Sequence, residues 1–203
     1  MGKAYSEEEK EKIHQQLLEE GIKLFHENGK KTLSIRELTK RVGISQGGFY
    51  NFYESKEELI IEIANLRISQ KLTKIMEEMD VSQMEPVEYF RKVLYDYTMD
   101  QAVKARHSQM YRDMLDLMSE RNGMSNEKSR KGMIVLFQRL KQYGEERGQR
   151  IEIDENGLCN LVQSCYILLL NQFQLEEAYF STILQALIQE GSARFIHISD
   201  DDS

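Results

Sequence analysis

The chain has 203 residues, of which 40% are hydrophobic and 30% charged, with one proline and a net charge of −7. This balance favours a folded, helix-rich protein and disfavours a disordered one. No apolar run approaches the roughly 18 residues that a membrane-spanning helix needs, and the acidic N-terminus is not a signal peptide. We therefore expect a cytoplasmic protein without a membrane partner, and the negative charge taken alone argues against a nucleic-acid binder.

The first predicted helix covers residues 7–27, which carry a single apolar stripe at helical spacing. We expect it to end at Asn28-Gly29, because glycine readily adopts the left-handed conformation of a helix cap. Ser34 and Glu37 form a capping box, which predicts a second helix through Arg41.

The next two helices are predicted from serine caps and one glycine turn. Gly43 can take a positive φ, and Ser45 can cap a short third helix that runs to about Tyr53. Ser55 begins another capping box and a long fourth helix, which reaches about Met79.

Five more helices are predicted after a polar break at residues 80–85. Pro86 suits the first turn of the fifth helix, and Asp154 can cap the eighth. Residues 147–150 are expected to form a loop, no strand is predicted, and residues 199–203 are expected to fray. The predicted fold class is all-α with about nine helices, the last five including residues 87–97, 106–121, 126–146, 158–169 and 175–195.

Neither the cysteines nor the histidines have the spacing of a metal site. Cys159 and Cys165 lie six residues apart in a predicted helix and so point to different sides, which disfavours a disulfide and favours reduced, packed thiols. The sequence shows no nucleophile–histidine arrangement, no phosphate-cradling glycine loop and no paired carboxylates with a helper base. We expect no metal, no cofactor and no catalytic residue, so a helical enzyme is the weaker hypothesis.

The second and third predicted helices, joined by a glycine turn, form a helix-turn-helix. Leu38, Val42 and Ile44 are expected to point inward and fix the angle between these helices. Phe49 and Phe52 are expected to pack on the first helix. This leaves a polar outer face on the third helix, made of Gln46, Gly47, Gly48, Tyr50 and Asn51.

That outer face has the chemistry of DNA recognition. Gln and Asn side chains can each read adenine with two hydrogen bonds, and the two glycines let the helix lie deep in a major groove. Tyrosine hydroxyls can donate to phosphate, and a lysine at a helix N-terminus binds phosphate with help from the helix dipole. Gln46 and Asn51 could also be ordinary solvated side chains. The predicted DNA contacts are Ser34, Arg36, Ser45, Gln46, Gly47, Gly48, Tyr50, Asn51, Tyr53 and Lys56.

Positive charge is concentrated in the same part of the chain. Residues 28–56 contain six basic and two acidic side chains, a net charge of +4, which leaves −11 for the remainder. Where the charges lie says more about DNA binding than the total does. The basic residues are Lys30, Lys31, Arg36, Lys40, Arg41 and Lys56.

Residues 33–59, LSIRELTKRVGISQGGFYNFYESKEEL, resemble the signature of the TetR/AcrR transcriptional regulators. Gly21 and Phe25 of the first helix also match that family. Many members carry Lys, Thr and Pro at the positions that are Gln46, Gly48 and Glu54 in this chain.

This resemblance implies both an architecture and a function. The expected domains are a helix-turn-helix DNA-binding domain over residues 1–54 and a ligand-binding and dimerisation domain over residues 55–203. The implied protein is a homodimeric repressor that binds a palindromic operator and leaves it when a small molecule enters the second domain. The alternative is a DNA-binding regulator without an effector, either an activator or an architectural protein.

The middle helices are rich in methionine and aromatic residues. Methionines can form an adaptable wall around an apolar ligand, although a methionine stripe more commonly belongs to a core. A carboxylate such as Asp100 or Asp113 could orient a cationic group. The predicted ligand contacts are Tyr97, Met110, Met114, Met118 and Phe137.

The last two predicted helices are apolar on more than one face. This pattern suits burial within a monomer or, more readily in a chain of this size, a four-helix interface between two copies. A dimer would place two recognition helices about 34 Å apart on DNA. The predicted partners are a double-stranded DNA operator, a second copy bound through the last two helices and a small molecule of unknown identity.

Overall fold

A computed structural model describes residues 5–81, 83–120 and 127–200 of the chain. They form two compact units, one reaching residue 68 and including residues 108–117, and one containing residues 69–107 and those from 118 onward. Within the described ranges, no helix is long and apolar enough to cross a membrane. The nine α-helices of these ranges are α1 Glu7–Thr32, α2 Ile35–Val42, α3 Gln46–Phe49, α4 Lys56–Val81, α5 Pro86–His107, α6 Gln109–Glu120, α7 Glu127–Glu145, α8 Glu155–Leu170 and α9 Glu177–Phe195.

Local capping shapes the helix-turn-helix of the first unit, as the sequence predicts. The Ser34 hydroxyl accepts a hydrogen bond from the Glu37 N–H (3.3 Å) at the start of α2. The Ser45 hydroxyl accepts one from the Gly48 N–H (3.0 Å) at the start of α3. Gly43 has a φ of 79°, the left-handed conformation that ends α2.

Two predicted helix ends in this unit are wrong. α1 continues to Thr32 instead of stopping at Asn28-Gly29, because a glycine inside a helix costs only about 1 kcal/mol and the following Leu33 is buried. α3 ends at Phe49, and the chain then continues as a hydrogen-bonded turn toward Tyr53.

The core of the first unit lies between α1, the helix-turn-helix and the first half of α4. At Gly21, an added Cβ would lie 3.2 Å from Ile63 Cδ1 and 3.3 Å from Leu59 Cδ2. The absence of a side chain therefore lets α1 and α4 approach closely. The fully buried side chains around this contact include Leu17, Leu24, Phe25, Leu38, Phe49, Leu59 and Ile63.

The second unit contains the rest of α4 together with α5, α7, α8 and α9. Pro86 is the first residue of α5, as predicted. The Asp154 carboxylate caps α8 by accepting from the Gly157 N–H (2.9 Å), also as predicted. The core of this unit includes Phe90, Phe137, Leu140, Tyr143, Leu158, Phe180 and Leu184.

The second unit also contains a pair of strands, so the prediction that the chain has none is wrong. β1 Gln149–Ile153 and β2 Ile196–Asp200 pair antiparallel, with Ile151 opposite Ile198. The same pairing corrects the second half of the predicted loop, Gln149 and Arg150, and the predicted fraying of Ser199 and Asp200, whereas Arg147 and Gly148 lie in a turn. Alternating isoleucines carry a strand signal, but β1 is only five residues long and its partner lies more than 40 residues away. The fold is otherwise helical, as the sequence predicts.

Candidate nucleic-acid interface

The outer side of α3 and of the turn that follows it is polar and exposed. Gln46, Gly47 and Asn51 are exposed, and Tyr50 is 57% exposed. On the inner side Phe49 is fully buried and meets the Tyr50 ring edge-on at 5.4 Å between centroids. One buried aromatic residue therefore anchors the segment and leaves its amide side chains in solvent.

The two adjacent glycines have different surroundings. A Cβ added to Gly47 would meet no atom closer than 3.9 Å, so this position faces open space. Gly48 is buried, and its N–H and carbonyl are both bonded within the turn, to Ser45 and Asn51. The prediction that Gly48 contacts DNA is therefore corrected, because it has neither an exposed surface nor an unbonded backbone group. Its place is in the tight packing of the turn.

Tyr53 is also corrected from a DNA contact to a core residue. It is 3% exposed, and its ring stacks against Phe49 (5.5 Å between centroids) and against His14 (5.6 Å). Burial, followed by the nearby Glu62 carboxylate, raises the pKa of the Tyr53 phenol. No group satisfies hydrogen-bonding distance and angle at its hydroxyl. The sequence pattern did not distinguish it from the exposed Tyr50.

The basic patch is narrower than the sequence count indicates. The Arg41 guanidinium lies 2.8 Å from Glu37, 3.0 Å from Glu27 and 3.6 Å from Glu20, so acidic residues of α1 and α2 neutralise its charge. Hydrogen bonds to Glu27 and Glu37 accordingly raise the pKa of Arg41. Glu20 and Glu27 precede residue 28, so the net charge of +4 for residues 28–56 does not include them.

The other basic side chains of that segment are differently placed. Arg36 and Lys40 are exposed on α2, one turn apart. Lys56 is half-buried as the first residue of α4. The side chains of Lys30 and Lys31 lie outside the described part of the structure. Arg36 and Lys56 therefore keep positions from which they could meet a DNA backbone.

The predicted ligand contacts fall in both units. Met110 and Met114 belong to the first unit, while Tyr97, Met118 and Phe137 belong to the second. Met114, Met118 and Phe137 are buried, which fits the core interpretation of the methionine stripe. Tyr97 alone of the five lines a cleft of about 690 Å³ in the second unit, between α4 and α5.

The described residues include no cluster of three or more side chains suited to a metal ion. Cys159 and Cys165 are buried thiols, in line with the prediction that they pack as small apolar groups. Burial raises the pKa of the Cys165 thiol to about 12, so it stays protonated at physiological pH and is not activated as a nucleophile.

Comparisons with known proteins connect the helix-turn-helix to a family. The family model described as "Bacterial regulatory proteins, tetR family" matches residues 17–63. The uncharacterized HTH-type transcriptional regulator YuxN of Bacillus subtilis is 35% identical over 68 residues. That match spans 34% of this chain and only 22% of the length of YuxN.

Two solved structures extend the likeness to most of the chain. A TetR-family regulator from Pectobacterium atrosepticum has a TM-score of 0.63 at 20% identity, covering 94% of this chain and 93% of that one. FadR of Thermus thermophilus, a repressor solved with lauroyl-CoA, has a TM-score of 0.57 at 20% identity, covering 88% and 94%. At these identities the likeness concerns the fold alone. Residues 17–63 are therefore similar to the DNA-binding part of TetR-family regulators, and the chain as a whole has the fold of solved TetR-family proteins.

Proposed function

We propose that the chain is a repressor that binds a palindromic DNA operator as a homodimer and is released by a small molecule. The observation that carries this proposal is the exposed, amide-bearing face of α3 held by the buried Phe49. A slim helix with Gln46 at its start and Gly47 beside it can lie close to base edges in a major groove. Because the target is chromosomal DNA, the proposed place of action is the cytoplasm.

The proposed contacts divide into base readers and backbone contacts. Gln46 and Asn51 are the base readers, since a side-chain amide can both donate to and accept from adenine. Because Gly47 has no side chain, it lets the backbone of α3 lie close to the DNA major groove. Phosphate contacts position the protein without reading sequence, and we assign them to Ser34, Arg36, Ser45, Tyr50 and Lys56.

The homodimer is proposed to form through α8 and α9. Four large apolar side chains on or between these helices are 42–61% exposed in the single chain. Covering such a surface with the same surface of a second copy would complete a four-helix interface. The exposed side chains are Ile167, Phe173, Tyr179 and Ile183.

We propose that the ligand makes the protein leave its DNA operator by acting through α4. This helix is continuous from Lys56 to Val81, so it joins the proposed DNA-binding domain (residues 1–54) to the ligand-binding and dimerisation domain (residues 55–203). A ligand that binds one arrangement of α4 better than another would shift the population toward a state unable to span consecutive grooves. The lauroyl-CoA bound to FadR supports small-molecule control in a protein of this fold.

A mobility-shift assay with genomic fragments tests the proposal. We expect shifted bands, and we expect the affinity of the protein for DNA to fall steeply as the salt concentration rises. The double variant Gln46→Ala/Asn51→Ala should lose these bands. The control variant Lys12→Ala, at an exposed lysine of α1, should keep them. Repeating the assay with a metabolite library tests release. Absence of salt-sensitive DNA binding would contradict the proposal, and DNA binding that no metabolite changes would favour a regulator without an effector.

A further inference from the structure

The cleft between α4 and α5 lies wholly within the second unit and has the size of a small-molecule site. Its volume of about 690 Å³ falls in the range of roughly 300–1,000 Å³ that is usual for ligand pockets. One face of α4 and one face of α5 form its walls, and Met84 of the connecting segment also contributes. The α4 residues are Lys71, Ile75 and Glu78, and the α5 residues are Tyr89, Lys92, Val93, Asp96, Tyr97, Asp100 and Lys104.

The inner part of the cleft is apolar. Ile75 is 4% exposed and Tyr89 is 6% exposed. The Tyr89 hydroxyl donates to the Ile75 carbonyl (2.8 Å), so the ring of Tyr89 serves as a wall and its oxygen is already bonded. Together with Val93 and Met84, these residues offer a surface for an aromatic or alkyl body.

The rim of the cleft is charged, and most of its charges neutralise one another. Three ion pairs account for all the carboxylates of the rim, so Asp100 is not available to orient a cationic ligand in the way the sequence allowed. Among the described charged residues of the lining, Lys71 is the one for which the structure shows no ion-pair partner. The pairs are Lys92 with Asp96, Lys104 with Asp100 (2.6 Å) and Lys74 with Glu78 (3.5 Å).

We propose that this cleft binds an amphiphile with a single negative charge, a carboxylate or sulfonate on an apolar body, and that Lys71 meets the anion. The apolar inner surface of the cleft favours a ligand with an apolar body. The positive charge of Lys71, which has no ion-pair partner among the described residues of the cleft, favours an anionic head group. The further step, that this ligand class is the effector, rests on the proposed function. Lys71 stands on α4, the helix through which release by a ligand is proposed to act.

Two fluorescent probes that differ in one group test the head-group preference. Anilinonaphthalene sulfonate is anionic, and N-phenylnaphthylamine has the same ring system without the sulfonate. In equilibrium titrations of the full chain, we expect Lys71→Met to raise the Kd of the anionic probe about threefold to fivefold and to leave that of the neutral probe unchanged. Lys71→Arg should retain the affinity for the anionic probe, and Lys12→Met, on an exposed lysine of the first unit, should behave as the parent chain.

A second variant tests the location of the site. Val93→Trp fills the cleft from a half-buried position and should weaken both probes, while an unchanged melting temperature shows that the fold is kept. Equal affinity of the parent chain and Lys71→Met for the anionic probe would overturn the proposal. So would undiminished binding of both probes to Val93→Trp. Neither measurement involves DNA, so failure here is distinguishable from failure of the proposed function, which the mobility shift reports.

Discussion

Tyr50 and Tyr53 are three residues apart, and removing the hydroxyl of each in turn separates a proposed DNA contact from a core residue. The Tyr50 side chain is 57% exposed on the outer side of the turn that follows α3, whereas Tyr53 is 3% exposed. The same chemical change, Tyr→Phe, should therefore affect DNA binding at one position and stability at the other.

The size of each effect follows from the surroundings of the hydroxyl. At Tyr53 the hydroxyl is buried and no group of the described residues meets hydrogen-bonding distance and angle there; a buried polar group left unsatisfied costs about 1–3 kcal/mol. Tyr53→Phe keeps the stacked ring and should stabilise the fold by about 1 kcal/mol, which for a chain of this length raises Tm by about 2–4 °C. Tyr50→Phe should leave Tm unchanged and weaken DNA binding by about 1 kcal/mol, the loss of one hydrogen bond to phosphate.

Thermal unfolding and salt-controlled DNA titrations of both variants provide the measurements. Tyr53→Phe should bind DNA like the parent chain. If it weakened binding as much as Tyr50→Phe, Tyr53 would reach the DNA and its burial would not hold in the complex. A lower Tm for Tyr53→Phe would instead show that its hydroxyl bonds to a group such as Glu62, and the stability argument would fail.

Three other substitutions test separate parts of the structure. Lys56→Ala should weaken binding to all DNA sequences alike and flatten the salt dependence; an altered sequence preference would contradict its assignment to phosphate. Gln46→Ala should relax preference at one base position in each half-site by about 1–3 kcal/mol, and an unchanged operator profile would remove it from the base readers. Gly157→Ala would place a Cβ 2.3 Å from Phe195 Cδ1 and should lower the free energy of unfolding by about 1–3 kcal/mol, measured by denaturant titration; a stability equal to the parent would show that the Phe195 ring moves away without strain.

The elements that the sequence predicted well are those fixed by neighbouring residues. Ser34, Ser45 and Asp154 each cap a helix by accepting a backbone N–H three residues on, and Gly43 takes the φ that its turn needs. In each of these hydrogen bonds the donor and the acceptor lie within one helical turn of each other, so a short stretch of sequence contains both residues. The all-α fold followed from the same periodic and capping signals.

The features that the sequence missed depend on partners far along the chain. β1 becomes a strand only because β2 lies beside it, and five residues give too weak a pattern alone. Tyr53 is internal because His14 of α1 stacks on it. The aromatic residues between positions 49 and 53 differ in burial, since Phe49 and Tyr53 are buried and Tyr50 is exposed, and the residue types alone could not assign Tyr53 to the interior.

The position of Arg41 shows why the count of basic residues overstates the charge that is available to DNA. Three carboxylates of its own unit lie within 4 Å of its guanidinium, so releasing it to a phosphate would leave those carboxylates unpaired and close to the duplex. In the proposed homodimer, Arg36 and Lys56 from each copy would give four phosphate contacts, for which the expected slope of log K against log salt is about −4. Adding Arg41 from both copies would steepen the slope to about −5. The measured slope therefore reports whether the α1–α2 ion-pair cluster remains closed when the protein binds DNA, a property that the net charge of the segment cannot indicate.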